Sequence, residues 1–427
     1  MYEEWNFREP PFQTTSLAAD SRGDRLLVGR DQDVTKFIRL LSVPPRAVTV
    51  EGANGVGKTS LVNVAIYRAL KHHIQTGAGP LFVPALDPLQ LREDHDLEEF
   101  LDSVYFLLAR SLIHRAREVA GFGWGLPSTR LINEWLNSPM IERLGANLGP
   151  VGLQRSAEMN ENAGYVRGAF RAEIRDWLVR VFPNANSGGV VCLIDNLELL
   201  RTSARARQFV ENLRDPLFGI NGVRWVLCGA NGITRSVAGS ARLDGYLHDP
   251  IDVLPLEDLA VNDIFTSRVE AFSVGGRVPY LPLRVEDFVS LFETLGSNTR
   301  STLRYADSYC LAQADDPPQA EADKADRFSS WLSGESRTRY EDCREQVGNR
   351  AWLLFDRACE DRSDFGPGDY ERFGFNNSQA MVPHVTALET TGLVVSAIDE
   401  TDRRRRTISI TPKGWLVRLA RTTSTSQ

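Results

Sequence analysis

The run of residues 52–59, Gly-Ala-Asn-Gly-Val-Gly-Lys-Thr, constrains the fold of this chain more than any other segment. It fits the pattern G-x-x-x-x-G-K-[ST] and lies between a short apolar stretch, residues 47–51, and an amphipathic stretch, residues 60–70. A strand, a glycine-rich turn and a helix in this order make a phosphate-binding loop, in which backbone N–H groups and the helix N-terminus face phosphate oxygens. The alternative is a chance glycine turn before a helix. The pattern predicts a nucleoside triphosphate as the first ligand to consider.

Two side chains of this loop have distinct predicted roles. Lys58 supplies a mobile cation for the phosphates, and Thr59 offers a hydroxyl group to Mg²⁺. The other loop positions that we expect to contact the nucleotide are Gly52, Asn54, Gly55, Val56, Gly57 and Ser60.

The composition is typical of a soluble globular protein with several domains. The chain has 427 residues, of which 42% are hydrophobic and 25% are charged, and this length suggests roughly two to four domains. No apolar run approaches the ~18 residues of a membrane helix, and residues 1–8 do not resemble a secretory signal. The five cysteines are odd in number and lack C-x-x-C spacing, which indicates reduced thiols in the core. We therefore expect a cytoplasmic protein without a membrane partner.

Apolar stretches and helical periodicity alternate along the first part of the chain. Further strands are predicted at residues 80–85, 190–195, 223–229 and 251–254, with helices between them. This alternation predicts an α/β fold with a parallel sheet over residues 1–255, followed by a helical lid over residues 256–314. Residues 315–334 are predicted to be a linker, because their first part is polar and acidic and contains a Pro-Pro pair.

The last segment, residues 335–427, has the pattern of a winged helix-turn-helix domain. Helices are predicted at residues 349–361 and 367–373, a turn at residues 375–378, and a third helix that ends at Thr391. Strands at residues 393–398 and 407–410 then flank a charged tip, as in a hairpin wing.

Asp195 ends the most apolar predicted strand and is therefore the candidate Walker B carboxylate. Strand ends of an open parallel sheet face the ligand crevice, so Asp195 and Thr59 are expected to hold Mg²⁺. The alternative is an acidic strand terminus in a turn. The next residue is Asn196, where many hydrolases of this type place a glutamate that polarises water, and Glu198 is the nearest substitute. We expect hydrolysis that is slow or depends on Glu198.

Other polar residues are candidates for sensing the γ-phosphate. Asn231 follows the fourth strand and suits a polar sensor, although Asn-Gly is also a common turn pair. Arg300 opens the last lid helix, where it is either a sensor of the γ-phosphate or a solvated helix-start residue. Arg235 and Arg242 are candidate arginine fingers for a neighbouring subunit, and surface exposure is the alternative for each.

Together these motifs resemble the AAA+ ATPases, and among them most of all the replication initiators of the origin-recognition and licensing type and their bacterial relatives. The resemblance rests on residues 27–33, the phosphate loop, residues 194–198, Asn231, and residues 298–300 before a winged helix. It implies ATP-dependent assembly on DNA, with Val28, Gly29 and Arg30 near the adenine and Arg300 as the second sensor. Asn196 departs from that clade, which has a glutamate there.

Two further similarities leave a different function open. Residues 195–198 also look like the signalling ATPases of the STAND group, in which nucleotide binding drives oligomerisation. Residues 5–12 are similar to the start of bacterial ATPases associated with transposition and secretion. On this alternative the chain is a signalling or scaffold ATPase, in anti-phage defence or transposition, whose winged helix binds protein.

The candidate DNA-binding surface combines the third helix of the last segment with the charged tip. Gln379, His384 and Thr386 are predicted to face base edges, whereas Met381, Val385 and Leu388 form the buried face. Arg403, Arg404, Arg405 and Arg406 would neutralise phosphates or enter the minor groove.

Charge and helix chemistry weigh against the DNA interpretation. The chain has a net charge of −7, so any DNA binding must be regional, and Pro383 is expected to interrupt the recognition helix. The alternative is a winged helix that contacts another subunit, as a homo-oligomer, or a partner effector protein.

Overall fold

A parallel sheet forms the centre of the first part of the chain. The computed structural model describes residues 1–44, 46–91, 96–119, 167–200, 203–230, 232–398 and 406–425. The strand order is β2-β4-β5-β1-β6, β3 also pairs with β4, and every pairing is parallel. The strands are β1 (Val48–Glu51), β2 (Leu81–Pro84), β3 (Leu89–Gln90), β4 (Gly188–Asp195), β5 (Val223–Gly229) and β6 (Ile251–Asp252).

Helices cover both faces of this sheet, which explains why its longer strands are apolar on both sides. In β4, Val190, Cys192 and Ile194 belong to one core and Val191 and Leu193 to the other, following the two-residue period of a strand. The helices are α1 (Ser21–Leu26), α2 (Asp31–Leu41), α3 (Lys58–Thr76), α4 (Leu97–Val119), α5 (Arg167–Val181), α6 (Ser203–Leu213) and α7 (Ile233–Ala238).

The predicted lid consists of α8 (Asp258–Phe272), α9 (Val285–Thr294) and α10 (Thr299–Ala312). Its core also contains Trp5, Phe7 and Phe12 from the start of the chain. The N–H of Arg8 donates to the carbonyl oxygen of Phe272 at 2.8 Å. The first residues therefore pack on the lid, a contact that the sequence pattern did not predict.

A helix, α11 (Glu321–Glu341), occupies most of the segment predicted as a linker. Phe328 and Leu332 lie one turn apart on this helix and are buried in the lid core. The polar composition of residues 315–323 concealed this short apolar stripe, so the irregular part of the predicted linker is confined to the residues before Glu321.

The C-terminal unit, residues 349–425, has the predicted element order with one addition. It contains α12 (Asn349–Asp361), a 3₁₀ turn (Pro367–Asp369), α13 (Ser378–Thr390) and the antiparallel pair β7 (Val394–Ile398) and β8 (Arg406–Ile410). The second predicted helix is thus only the 3₁₀ turn. A last helix, α14 (Pro412–Thr425), was not predicted.

Pro383 does not interrupt α13, contrary to the sequence expectation. The helix continues from Ser378 to Thr390, with Met381, Val385 and Leu388 buried as predicted. Proline lies in the second turn, where it removes only its own N–H donor, and burial of these three side chains keeps the helix continuous.

Helix α14 is shared between the lid and the C-terminal unit. Leu416 and Leu419 pack in the lid core, whereas Trp415 and Val417 pack in the core of the C-terminal unit. A movement of this helix therefore affects both cores. No helix in the described part of the chain is long and apolar enough to cross a membrane.

Candidate functional site

A cleft opens where the phosphate loop, the lid and the end of β4 meet. The empty space between the surrounding atoms, including solvent at its open mouth, is about 870 Å³. The predicted nucleotide contacts that line it are Val28, Arg30, Asn54, Gly55, Val56, Gly57, Lys58, Thr59, Ser60, Asp195 and Arg300. Gly29 and Gly52 do not line the cleft. A Cβ on either glycine would crowd a neighbour, Ala260 for Gly29 and the carbonyl oxygen of Val253 for Gly52.

The phosphate loop has the backbone shape that anion binding requires. Gly55 and Gly57 have φ of 85° and 103°, a region that favours glycine. Gly57 is the N-cap of α3 and offers no side-chain cap, so the first N–H groups of this 19-residue helix face the cleft uncapped. Lys58 Nζ donates to the carbonyl oxygens of Gly52 at 2.9 Å and Ala53 at 3.2 Å, which holds the ammonium group over the loop.

Thr59 and Asp195, the predicted metal ligands, are in direct contact. Thr59 Oγ1 donates to Asp195 Oδ2 at 2.6 Å, and Asp195 Oδ1 accepts from the N–H of Asn196 at 2.9 Å. Among the described residues, no group of three or more His, Cys, Asp or Glu side chains could hold a metal ion. A cation at this position therefore requires oxygen ligands from the nucleotide and water in addition to Thr59 and Asp195.

Asn196, and not Glu198, is the polar residue beside Asp195 that faces the cleft. Asn196 lines the cleft in the left-handed conformation, with φ of 59°. Glu198 lies in the 3₁₀ turn of residues 197–200, outside the cleft lining, and its buried Oε2 has no hydrogen-bond partner among the described residues. The residue that replaces the usual glutamate is an amide, which is not a base.

The start of α10 is hydrogen-bonded to the phosphate loop. Asn298 Nδ2 donates to the carbonyl oxygen of Asn54 at 2.7 Å, and the N–H of Arg300 donates to the carbonyl oxygen of Gly55 at 3.2 Å. The Arg300 side chain is exposed and lines the cleft, and it forms no ion pair within the described ranges. The two hydrogen bonds fix the position of Arg300 relative to the loop.

The segment before α2 is also tied to the loop. Arg30 is buried, and its Nη2 donates to the carbonyl oxygen of Val56 at 3.2 Å while Nη1 pairs with Asp33 at 3.2 Å. Burial lowers the pKa of Arg30, and the Asp33 carboxylate opposes that shift. Arg30 therefore connects the predicted adenine-binding segment to the phosphate loop.

The cleft lining also includes apolar residues that the motifs did not predict. Leu26, Leu256, Ile264 and Leu303 line the cleft together with residues 14–17 and the buried side chain of Arg268. These residues come from three separated parts of the chain, so only the periodicity of α8 and α10 could have pointed to Ile264 and Leu303.

Three predicted sensor or finger residues have different outcomes. Asn231 lies outside the described residues. Arg235 is tied to its own subunit, since its Nη2 pairs with Asp252 Oδ1 at 2.6 Å. Arg242 is 60% exposed and lies 3.6 Å from Glu211, so its side chain remains at the surface.

The predicted DNA-binding residues do not form one basic surface in the described part of α13. Gln379 and Thr386 are exposed as predicted, whereas His384 is half-buried and packs on Phe375 with ring centroids 5.3 Å apart. Desolvation, and then the nearby Arg350, lower the pKa of His384, so the ring is neutral at pH 7. His384 is thus a packing residue and not an outward-facing one.

Arg406, from the charged tip, also differs from the expectation. Arg403, Arg404 and Arg405 lie outside the described residues. Arg406 Nη2 donates to both carboxylate oxygens of Glu389, each at 2.6 Å, which neutralises its charge and ties β8 to α13. Arg406 is therefore a structural residue of the hairpin.

The cysteines are free thiols in the core, as their number and spacing predict. All five are free and buried. Burial raises the pKa of Cys359 to about 12, and the other four thiols also have raised pKa values because of burial, so all are protonated at neutral pH.

Comparison with known proteins finds similarity in structure alone. No protein-family model and no curated protein sequence matches the chain. The ORC2 protein of Aeropyrum pernix, solved as ADPNP–ADP complexes, is 10% identical, with 98% of each chain covered and a TM-score of 0.48. A Walker-type ATPase of Pyrococcus abyssi is 12% identical, with 96% of this chain and 99% of that chain covered and a TM-score of 0.48.

A third neighbour is the Cdc6p protein of Pyrobaculum aerophilum, which is 14% identical, with 97% of this chain and 98% of that chain covered and a TM-score of 0.39. Each of these alignments spans nearly the whole of this chain and of the neighbour, at 14% identity or less and with a TM-score below 0.5.

Proposed function

We propose that this chain is an ATP-binding switch, in which nucleotide in the cleft controls the position of the C-terminal unit. Through that unit the chain would assemble on or near double-stranded DNA, as a homo-oligomer or with a partner effector protein. One observation carries the proposal: residues 296–300 touch the phosphate loop on one side and α14 on the other.

Residues 296–300 contact the phosphate loop through hydrogen bonds to its backbone carbonyl oxygens. Asn298 and Arg300 bond to the carbonyl oxygens of Asn54 and Gly55. A Cβ on Gly55 would lie 2.7 Å from Asn298 Oδ1, so the two segments are in close contact. A change in the loop that accompanies phosphate binding therefore acts on the start of α10.

Residues 296–300 contact α14 by close packing. Gly296 has φ of 66°, and a Cβ at this position would overlap the indole ring of Trp415. Trp415 belongs to the core of the C-terminal unit, and its neighbour Leu416 belongs to the lid core. A rotation of α10 would thus be transmitted to α14 and from there to β7 and β8, which precede it.

The residues present fit a magnesium nucleotide. The uncapped N-terminus of α3, with Lys58 above it, suits β- and γ-phosphates, and the apolar residues of the lining suit a base. The buried Oγ1 of Thr299 lines the cleft and has no hydrogen-bond partner among the described residues. Thr59 and Asp195 would hold Mg²⁺, which supplies charge neutralisation for the phosphates.

This arrangement supports binding more strongly than rapid turnover. Lys58, Arg300 and Mg²⁺ would stabilise charge on the transferred phosphoryl group. The orientation of an attacking water, however, depends on Asn196, because Glu198 does not line the cleft. We therefore propose slow hydrolysis, consistent with a switch.

The proposal of DNA as the partner rests on the charged tip. Eight basic and four acidic residues lie from Arg372 onward. Arg403, Arg404 and Arg405 are the basic residues of the tip besides Arg406, which pairs with Glu389. They would bind phosphates without sequence preference, with an affinity that falls steeply as salt rises.

A specific observation favours the second candidate, a signalling or scaffold ATPase whose C-terminal unit binds protein. The exposed face of α13 carries Gln379, Val382 and Thr386, and the helix contains no lysine or arginine. Such a face suits a protein partner better than a phosphate backbone.

Two measurements separate these possibilities. Calorimetric titration with Mg–ATP should give binding for the wild type and at least about tenfold weaker binding for Lys58→Ala, since a phosphate loses a charge-assisted partner. Anisotropy of a labelled mixed-sequence duplex, titrated with and without ATP at several salt concentrations, should show ATP-dependent binding.

The charged tip provides the matched variants for the DNA measurement. The triple change of Arg403, Arg404 and Arg405 to alanine should flatten the salt dependence, whereas Arg406→Ala should retain it because Arg406 is paired. Duplex binding that is absent, or is the same in the triple variant, favours the protein-binding candidate.

A further inference from the structure

Residues 13–17, named the strap below, lead from the lid to α3 along the cleft. Thr14, Thr15, Ser16 and Leu17 all line the cleft, and the first three side chains are exposed. Within the described ranges these three side chains form no hydrogen bond. The middle of the strap is therefore held in place only by what happens at its two ends.

The lid end of the strap is firmly attached. Phe12 is buried and stacks on Phe288 of α9 with ring centroids 5.6 Å apart. Arg268 of α8 is also buried, and its Nη1 donates to the carbonyl oxygens of Pro11 at 3.0 Å and Gln13 at 3.2 Å. A charged donor makes stronger hydrogen bonds than a neutral one, and a buried aromatic ring adds hydrophobic contact. This end therefore moves with the lid.

The other end of the strap is attached to α3 by weaker contacts, named the latch below. The N–H of Leu17 donates to Ser60 Oγ at 3.0 Å, and the carbonyl oxygen of Leu17 accepts from Asn63 Nδ2 at 2.9 Å. The Leu17 side chain is half-buried and packs against both the lid core and the core beneath α3. Hydrogen bonds between neutral groups contribute only modestly to stability. The latch is therefore the end that detaches first.

The strap is short, which limits how far the lid and α3 can separate. Four peptide units join Gln13 to Leu17, and a fully extended chain of this length spans about 14 Å. While both ends are attached, residues 14–16 stay along the cleft, with hydroxyl groups that can donate to and accept from a ligand. A nucleotide in the cleft is then enclosed on this side until one end of the strap detaches.

We propose that the strap retains bound nucleotide, and that nucleotide leaves when the latch opens. Arg268 and Asn63 are then positioning residues of the site, because Arg268 keeps the strap on the lid and Asn63 closes it onto α3. This inference rests on the proposed nucleotide-binding function. It concerns retention of the ligand, whereas the connection through residues 296–300 concerns the position of the C-terminal unit.

The experiment measures how fast nucleotide dissociates from the full chain. ATP that carries a methylanthraniloyl label on the ribose is bound in the presence of Mg²⁺ and then displaced by an excess of unlabelled ATP in a stopped-flow instrument. Asn63→Ala removes the donor to the carbonyl oxygen of Leu17. Dissociation should therefore be at least about threefold faster than in the wild type, the factor expected for the loss of one hydrogen bond.

A second variant lengthens the strap and leaves both of its attachments in place. Insertion of three glycines between Thr15 and Ser16, in an exposed stretch without side-chain hydrogen bonds, should be tolerated by the fold and should also speed dissociation at least about threefold.

Gln75→Ala is the matched control for Asn63→Ala, since it changes an amide to alanine at an exposed position of the same helix. Its dissociation rate should equal that of the wild type. Melting midpoints of the nucleotide-free proteins separate release from stability. If Asn63 were merely structural, Asn63→Ala would lower the midpoint and leave the dissociation rate unchanged.

Two outcomes would overturn the inference and leave the proposed function intact. The first is a dissociation rate in Asn63→Ala equal to that of the wild type. The second is an unchanged rate in the glycine insertion, which decides the question even where Asn63→Ala does not fold. A wild type that binds no nucleotide would overturn the proposed function as well.

Discussion

Asn298 hydrogen-bonds to Asn54 across 244 residues of sequence: Asn298 Nδ2 donates to the carbonyl oxygen of Asn54 at 2.7 Å. The other side-chain atom, Oδ1, accepts from the N–H of Ser301 at 3.0 Å and caps α10. One amide group therefore terminates a lid helix and holds the phosphate loop. These two roles can be separated, because they use opposite ends of the same amide.

Asn298→Asp should weaken ATP binding without unfolding the lid. The aspartate keeps the cap acceptor but has no donor for Asn54, and its charge repels the carbonyl oxygen and the nucleotide phosphates. We expect an ATP affinity about tenfold lower by calorimetry. Asn298→Ala loses the cap as well, so it should also lower the thermal midpoint. Unchanged ATP affinity in the aspartate variant would argue that the loop contact is irrelevant to binding.

Gly296→Ala should loosen α14 and leave the cleft intact. The new Cβ would overlap Trp415, and overpacking of this kind typically costs about 1–3 kcal/mol. Gly276→Ala is the matched control, since Gly276 has φ of 79° and open space where its Cβ would lie. We expect a lower melting midpoint and faster proteolysis near α14 in Gly296→Ala than in Gly276→Ala, at equal ATP affinity. Equal stability of the two variants would contradict the tight contact.

Asp195→Asn should remove the contribution of Mg²⁺ to ATP binding. Asp195 accepts from Thr59 at 2.6 Å, and a neutral amide at this position is a weaker partner for a cation. Mg²⁺ should increase the ATP affinity of the wild type, and we expect this increase to be at least about tenfold smaller in Asp195→Asn. In excess chelator, the two proteins should bind ATP equally. Asp252→Asn, at the exposed end of β6, is the control and should retain the full gain. A normal Mg²⁺ response in Asp195→Asn would place the ion elsewhere.

Glu198→Gln should leave ATP turnover within about twofold of the wild type, because Glu198 does not line the cleft and a true general base contributes far more. Steady-state phosphate release measures this. Asn196→Ala is the comparison, since Asn196 faces the cleft. A turnover that collapses in Glu198→Gln would show that the glutamate reaches the attacking water after all.

The sheet was predictable because its strands are apolar on both faces and end in recognisable residues. The phosphate loop fits a fixed pattern that predicts Lys58 and Thr59 as nucleotide contacts, and both residues line the cleft together with Asp195 from the end of β4. The carboxyl ends of parallel strands lie at one edge of the sheet. The phosphate loop after β1 and Asp195 at the end of β4 therefore lie close together although they are far apart in sequence.

The rest of the site depends on tertiary contacts that leave no local pattern. Arg268 resembles any helical arginine until the burial of α8 is known, and Arg406 resembles its neighbours until Glu389 is found opposite it. His384 has an outward position by helical count, but Phe375 covers it. Helix α11 was missed because an acidic, proline-containing start concealed Phe328 and Leu332.

Hydrogen–deuterium exchange of the full chain, with and without Mg–ATP, tests the connection between cleft and C-terminal unit most directly. Nucleotide should slow exchange in three places: the phosphate loop, residues 296–300 and the start of α14 around Trp415. In Asn298→Asp, at nucleotide concentrations that restore full occupancy, slowing should persist in the loop and be lost around Trp415. Protection confined to the phosphate loop in the wild type, with α14 unchanged, would contradict the switch.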